Sequence, residues 1–286
     1  MIRKLSLLAL ILFPLLLSGS YTPDFMYVNI ESGFSFSTYS SLNTGIRNFS
    51  NTLEDTFGPS AAGKELQDFN FDIPILLKAG ISPFSGKTGR RISLFLYTGY
   101  IPTFSWNTIR LLDTTLEYDF TVGVLPIEIG AEYTFMQFRF LGGKMAFSAG
   151  AGFGMYRGTY SIGFTDSNGT SGIDTSTYPR EYGGWGYGAI FSFNSVWKVS
   201  DQISIVGSLS YRYANISALK SYVTRSDGTV VNETLYIGNS GFTSAEEQPA
   251  GMSPAKINLS GVSIRFGVRF SFGTVRLTDI PEGLYR

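Results

Sequence analysis

The segment Val262-Ser-Ile-Arg-Phe-Gly-Val-Arg-Phe-Ser-Phe272 decides the fold, because its side chains alternate between two chemically different kinds. Every even position is a large apolar residue, and every odd position is serine, glycine or arginine. A period of two residues is typical of a β-strand with two unlike faces. A strand that opposes arginine and glycine to a wall of large hydrophobes fits lipid on one side and a narrow polar lumen on the other.

Seven further segments alternate in the same way. The eight predicted strands cover about 25–38, 69–82, 91–104, 116–135, 146–160, 185–197, 202–214 and 257–272. In the fourth strand, the apolar residues occupy even positions up to Val124 and odd positions from Ile127 onward. Such a change of parity requires one extra residue, so the pattern predicts a β-bulge near Leu125–Pro126.

The connections between these strands alternate between long and short. The long ones lie at about 39–68, 105–115, 161–180 and 215–256, so all of them fall at one end of the sheet. Short periplasmic turns and long extracellular loops are typical of outer-membrane barrels. We therefore expect an all-β fold, an eight-stranded antiparallel up-and-down transmembrane β-barrel over residues 21–272.

The last long loop contains Asp227-Gly228, a tight hairpin turn signal. We interpret this hairpin as an extension above the membrane, because neither of its faces is apolar enough for lipid. The alternative, in which the hairpin also spans the membrane, gives ten strands.

Export is predicted by the N-terminus. Arg3 and Lys4 precede an apolar run from Leu5 to Leu17, and Ser18-Gly-Ser20 offers a small-residue cleavage site. Residues 1–20 are therefore interpreted as a signal peptide that directs the chain through the periplasm to the bacterial outer membrane. Residues 273–286 are left as a short periplasmic C-terminal tail.

Composition excludes several kinds of site. The chain has no cysteine, hence no disulfide and no thiolate metal site. Its 22 basic and 22 acidic residues balance, so nothing favours nucleic acid as a partner. No motif indicates a cofactor or a metal, and we expect none.

Two sets of side chains carry specific expectations. Trp185 and Trp197 share one face of a strand; at ~3.3 Å per residue and a tilt near 40° they stand roughly 30 Å apart, one in each aromatic girdle. The non-lipid faces supply four anions and four cations, which predicts a balanced, plugged lumen with an ion pair between Glu31 and Arg265. The predicted lumen charges are Glu31, Asp72, Lys78, Glu128, Glu132, Arg212, Arg265 and Arg269.

Residues 126–156 join Ile-Glu-Ile-Gly-Ala-Glu-Tyr-Thr-Phe, a Gly-Gly turn and Ala-Gly-Ala-Gly-Phe-Gly-Met-Tyr. This segment resembles small outer-membrane β-barrel proteins, the group of the OmpA transmembrane domain and the OmpW-type barrels. Arg265, Gly267, Phe270 and Phe272 are similar to the C-terminal signal of such proteins. The resemblance implies outer-membrane lipid and the barrel-assembly machinery as partners. The chain departs from it in continuing beyond the last aromatic residue.

An enzyme is not expected, because the outer-membrane enzymes that such a chain resembles rely on histidine and this sequence has none. Two functions remain open. One is a structural or surface-interaction role through the long loops, with an extracellular ligand of unknown type. The other is a narrow passage for small, hydrophobic molecules, for which Leu76, Phe95 and Tyr97 would supply an apolar lumen.

Overall fold

The computed structural model describes residues 26–57, 62–65, 69, 71–85, 91–103, 107–111, 116–141, 143–166, 180–224 and 228–272. The predicted signal peptide, the C-terminal tail and Asp227 lie outside the described residues. In chain order the elements are β1 (Met26–Ser37), α1 (Ser40–Phe57), β2 (Ala62–Glu65), β3 (Phe71–Asp72), β4 (Ile75–Ser85), β5 (Arg91–Pro102), β6 (Asn107–Leu111), β7 (Leu116–Phe140), β8 (Gly143–Asp166), β9 (Arg180–Lys198), β10 (Ile203–Ile216), β11 (Lys220–Thr224), β12 (Val230–Gly238), β13 (Gly241–Ala245), β14 (Ser253–Pro254), β15 (Ile257–Asn258) and β16 (Gly261–Phe272).

Eight of these strands form a closed ring. The order is β1–β4–β5–β7–β8–β9–β10–β16 and back to β1, and every pairing is antiparallel. Closure is made by β1 and β16, whose register runs from Met26 opposite Phe272 to Ser37 opposite Gly261. The predicted all-β antiparallel fold is confirmed. The hairpin of β11 and β12 stays outside the ring, because β10 pairs directly with β16.

The predicted bulge at Leu125–Pro126 is wrong. Pairing between β7 and β8 runs without a shift through that point, and the register shift lies instead between Thr134 and Met136. Even-numbered residues face the interior on both sides of Pro126, since Val124 and Glu128 are both fully buried. The apolar residues change parity there because the chemistry of the interior changes, whereas the direction of the strand faces does not.

The two ends of the ring differ in what covers them. We call the end with α1 and the strands β11–β15 the cap end, and the other, where β7 meets β8 and β9 meets β10, the turn end. Among the described residues, no helix is long and apolar enough to cross a membrane. The segment predicted as a loop at 39–68 contains α1, and the segment at 215–256 contains β11–β14.

Helix α1 forms because its apolar residues recur at helical spacing. Leu42 and Ile46 are buried, and Phe49 and Leu53 pack against the same core, so these four side chains make one stripe. Polar residues separate these four side chains in the sequence. A search for the two-residue alternation of strands therefore finds no apolar face in this segment and predicts a polar loop. Strand β8 is also longer than predicted: it continues to Asp166, into the segment that was predicted as a loop at 161–180.

Candidate functional site

The outward face of the ring is apolar. Phe266 and Tyr187 are more than 60% exposed, although both are large and hydrophobic. Exposed apolar side chains of this kind occur on every ring strand, and a soluble monomer does not tolerate a continuous belt of them. Members of the belt include Ile30, Phe34, Ile75, Leu94, Ile129, Phe153, Phe191, Phe193, Leu209, Tyr213, Ile264 and Phe266.

The predicted Glu31–Arg265 ion pair is present in the interior. Arg265 Nε lies 3.3 Å from Glu31 Oε2, and neither side chain is exposed. Tyr97 donates a hydrogen bond of 2.8 Å to the same carboxylate oxygen, while Asn29 donates one of 2.8 Å to the other. Arg265 also reaches Ser210 on β10 at 3.0 Å. The cluster therefore links β1, β5, β10 and β16 across the lumen.

A second ion pair joins β7 to β10. Arg212 Nε donates to Glu128 Oε1 at 2.8 Å, and the Tyr156 hydroxyl donates to the same oxygen at 2.9 Å. Gly154 leaves the space for this cluster, because a Cβ there would lie 2.8 Å from Glu128 Cγ and from the Tyr156 hydroxyl. Gly154 thus makes room for large polar side chains from the neighbouring strand β7 and from β8 itself.

A third ion pair lies nearer the turn end. Lys78 Nζ contacts Glu132 Oε2 at 2.5 Å. The other carboxylate oxygen of Glu132 accepts hydrogen bonds from Ser148 and Asn194. Lys78 also lies over the Phe95 ring, 4.6 Å from its centroid. Because paired and hydrogen-bonded charges are the only ones tolerated in a narrow interior, these contacts account for the burial of both charges.

The predicted match of four anions with four cations holds for these three pairs only. Asp72 is buried and accepts a hydrogen bond of 2.8 Å from the Tyr39 hydroxyl. Arg269 donates to Asn29 Oδ1 at 2.9 Å and stacks on the Tyr27 ring, 3.9 Å from its centroid. These two lie near opposite ends of β1, Asp72 by Ser35 and Arg269 opposite Asn29, so they are satisfied separately.

Three cations at the turn end were not predicted from the sequence. Arg91, Lys144 and Lys198 line a cavity at the turn end together with Arg269. Their parity would have revealed them, since Arg91 shares a face with Ser93, and Lys198 shares one with Asn194. They were overlooked because they sit at or near strand ends, where the boundaries of the predicted strands are least certain.

At the cap end the interior is apolar and aromatic. Phe120, Tyr160 and Tyr182 are buried under α1 and the β12–β13 hairpin. Phe120 lies 6.2 Å from Phe49 of α1 and 6.1 Å from Phe242 of β13, between ring centroids. A cavity of about 160 Å³ remains among these groups, lined by Phe49, Tyr118, Phe120, Ile162, Arg180, Tyr182, Leu235, Phe242 and Ser244.

The residues proposed for an apolar passage are packed in the wall of this interior. Leu76, Phe95 and Tyr97 are all at most 5% exposed and belong to the same buried cluster. Phe95 meets the edge of Tyr97 at 5.5 Å between centroids. They act as packing around the ion pairs, and the cap-end cavity is lined by other residues.

The remaining predicted positions lie on the outer wall and on β16. Trp185 is half exposed near the cap end of β9, and Trp197 is partly buried at its turn end, opposite Met145. Gly267, Phe270 and Phe272 follow Arg265 along β16, with both phenylalanines exposed on the outward face.

No protein-family model and no curated protein sequence matches the chain. Among solved structures, it is similar to Neisserial surface protein A (NspA), with 12% identity and a TM-score of 0.39 over 89% of this chain and 100% of that one. It is also similar to the outer membrane protein OprG from Pseudomonas aeruginosa, with 10% identity and a TM-score of 0.40 over 89% of this chain and 99% of that one. Both are small outer-membrane β-barrel proteins, the group that the sequence itself resembles.

Proposed function

We propose that the chain is an eight-stranded transmembrane β-barrel of the bacterial outer membrane, with a closed lumen and a surface-interaction role carried by its cap. The cap is the set of elements α1 and β11–β15. The observation that carries the closed lumen is the set of three buried ion pairs, Glu31–Arg265, Glu128–Arg212 and Lys78–Glu132, which lie in the interior between the cap and the turn end.

Lipid is the partner that suits the outward face. An apolar belt that surrounds the ring destabilises a protein in water, whereas the same belt is favourable against acyl chains. The opposite faces of the same strands carry charges and hydroxyls, so the two faces cannot exchange roles without burying those charges in lipid.

The cap presents its own exposed apolar residues. Tyr222 on β11 and Val230 on β12 are 77% and 65% exposed near the tip of their hairpin. Binding surfaces favour exposed aromatic side chains held on a rigid scaffold. The hairpin is held in place because β12 continues into the buried core through Leu235, so we assign the contact with an extracellular partner to this tip.

The topology is tested with single cysteines, because the chain contains none of its own. Intact cells that express Tyr222→Cys are expected to react with a membrane-impermeant maleimide. Cells that express Asp201→Cys, in the exposed turn between β9 and β10, are expected to react only after permeabilisation. The reverse pattern would contradict the assignment of the cap to the cell surface.

The closed lumen is tested in planar bilayers. The purified full chain is expected to give no steady conductance, because the three ion pairs and the cap core fill the interior. Steady conductance that changes in Arg265→Ala would show that the lumen conducts past this cluster and would overturn the closed lumen.

A second candidate function is the binding or passage of a small hydrophobic molecule. The observation in its favour is the cap-end cavity, whose walls are aromatic or aliphatic apart from Arg180 and Ser244. Ligand sites of this kind are concave, mostly apolar and have few polar groups. Binding of an apolar fluorescent probe to the purified protein, weakened by Phe242→Trp and unchanged by Tyr213→Phe on the outer wall, would favour this function. Absence of probe binding would exclude it.

A further inference from the structure

The cations of the turn end lie next to each other across neighbouring strands. Arg269 on β16 pairs with Ser204 on β10, Ser204 pairs with Lys198 on β9, and Lys198 pairs with Lys144 on β8. Because directly opposed residues on one face of a sheet are close neighbours, this register places three cations in one row on the inner wall. Lys144 and Lys198 are directly opposed in this row, whereas Ser204 separates Lys198 from Arg269, so positive charge is concentrated along one stretch of the wall.

The row lines a cavity, which we call the turn-end vestibule. It has a volume of about 130 Å³, and Arg91 adds a fourth cation from β5. A water molecule occupies about 30 Å³ in the liquid, so the vestibule has room for several waters or for one small oxyanion. Hydroxyl and amide groups of Ser204, Thr134 and Gln137 complete its lining.

The carboxylates near the vestibule are already engaged. Glu132 is the acidic residue of the lining, and its oxygens are held by Lys78, Ser148 and Asn194. Asp201 lies 3.8 Å from Lys198, and its side chain is fully exposed outside the cavity. Neither carboxylate is hydrogen-bonded or ion-paired to Arg269 or Lys144, and the charge of Glu132 is shared between Lys78, in direct contact, and Arg269, farther away.

Arg269 provides a donor that is already oriented. Its Nε is fixed by Asn29 and its guanidinium plane by the Tyr27 ring, and the residue lines the vestibule. Fixing the guanidinium in advance lowers the entropy lost on binding.

We propose that the turn-end vestibule is a binding site for a small phosphate-type oxyanion. Arg269 supplies a guanidinium held in place at the wall, Lys144 and Lys198 contribute charge from the row, and Arg91 lines the site from the opposite wall. Charge-assisted hydrogen bonds of this kind are roughly twice as strong as those between neutral groups. The site is separate from the cap, so its failure would leave the proposed surface role intact.

The test is calorimetric titration of inorganic phosphate into the full chain in non-ionic detergent, against sodium chloride of matched ionic strength. We expect saturable binding of one phosphate per chain. Lys144→Gln is the primary variant because Lys144 is exposed at the rim and its loss leaves the fold intact; it is expected to weaken association about tenfold, the effect of one charge-assisted hydrogen bond. Lys144→Arg is expected to restore binding, and Lys220→Gln, an exposed cation on β11, is the matched control.

Arg269→Gln gives a second readout at the oriented donor, with an expected loss of tenfold or more. A short-chain phosphatidylglycerol, titrated below its micellar concentration, distinguishes a lipid phosphate from the free anion. The proposal is overturned if phosphate behaves like chloride, if Lys220→Gln weakens binding as much as Lys144→Gln, or if the lipid phosphate binds and inorganic phosphate does not.

Discussion

The cap-end and turn-end halves of the ring use the same strands and the same inward parity, yet they are filled by opposite chemistry. Near the cap, β7 presents Phe120, Val122 and Val124 to the interior; beyond Pro126, the same face presents Glu128 and Glu132. This change from apolar to charged inward residues depends on which elements cover each end of the ring. Helix α1 buries its apolar stripe at the cap end, so the strand residues that meet it must be apolar as well.

The turn end has no such cover among the described residues, and its interior remains polar. Charges are tolerated there because each buried carboxylate has a cation and several hydrogen-bond donors. The comparison shows two ways to fill the interior of such a ring: apolar packing under a covering element at the cap end, and paired charges at the turn end. The apolar packing contributes mostly to the free energy of folding, whereas the paired charges determine which strands contact one another.

The largest expected effect comes from breaking one of the pairs. Arg265→Ala leaves the Glu31 carboxylate buried without its cation, and removal of one partner of a buried pair costs about 3–5 kcal/mol. Urea unfolding in detergent, followed by circular dichroism, measures the loss. The exposed Arg139→Ala is the matched control, with a change within about 0.5 kcal/mol. The double variant Glu31→Gln with Arg265→Ala should recover part of the loss; equal losses in the single and double variants would contradict the pairing.

The cap-end packing predicts a local effect. Leu42→Ala removes a fully buried side chain of α1, and such truncations cost about 2–5 kcal/mol. Because Leu42 packs within the cap-end core, we expect the cap to become sensitive to protease while the ring keeps its strand signal. Thr44→Ala, on the exposed side of α1, is the control and should stay resistant. Simultaneous loss of cap and ring would mean that the two regions unfold as one.

A smaller effect is expected from a single hydroxyl. The Tyr97 hydroxyl donates to Glu31 and accepts from Arg265 Nη2 at 3.3 Å. Tyr97→Phe keeps the ring packing and removes both bonds, so it should lower the free energy of unfolding by about 1–3 kcal/mol. Tyr187→Phe on the exposed outer wall provides the comparison in the same unfolding assay. If both variants lose the same amount, the hydroxyl of Tyr97 does not stabilise the ion pair.

Much of the turn-end half could be predicted from the sequence. Alternation assigned Glu31 and Arg265 to one inward face, and the closure of β1 onto β16 brought them together at the predicted depth. The assignment worked because polar and apolar residues alternate there without ambiguity. The separate partners of Asp72 and Arg269 were not predicted, because these partners are uncharged: Asp72 accepts from Tyr39, which lies in the segment interpreted as a loop, and Arg269 contacts Asn29 and Tyr27.

The interior of the cap-end half could not be predicted from strand alternation. On β7 before Pro126 the inward residues Phe120, Val122 and Val124 are apolar, and the outward face carries Asp119 and Thr121. A period of two still separates the two faces there, but the apolar face is the inward one, so assigning every apolar face to lipid gives the wrong side. The apolar stripe of α1, the element that makes the inward face apolar, follows a helical period and was hidden in a segment interpreted as a loop. The false bulge at Leu125–Pro126 is the consequence of both.

Spin labels on β7 test directly whether the strand lacks a bulge at Leu125–Pro126. Spin labels on cysteines at Val122 and Val124 should be immobile and shielded from oxygen dissolved in lipid, because both side chains point under the cap. A label at Ile129, which is 61% exposed on the outer wall, should collide with oxygen freely. A bulge at Leu125–Pro126 would turn Val122 and Val124 outward and make all three positions alike. The label is larger than valine, and such overpacking costs about 1–3 kcal/mol, so circular dichroism of each labelled variant is needed to show that the fold is kept before the label is used to assign a face.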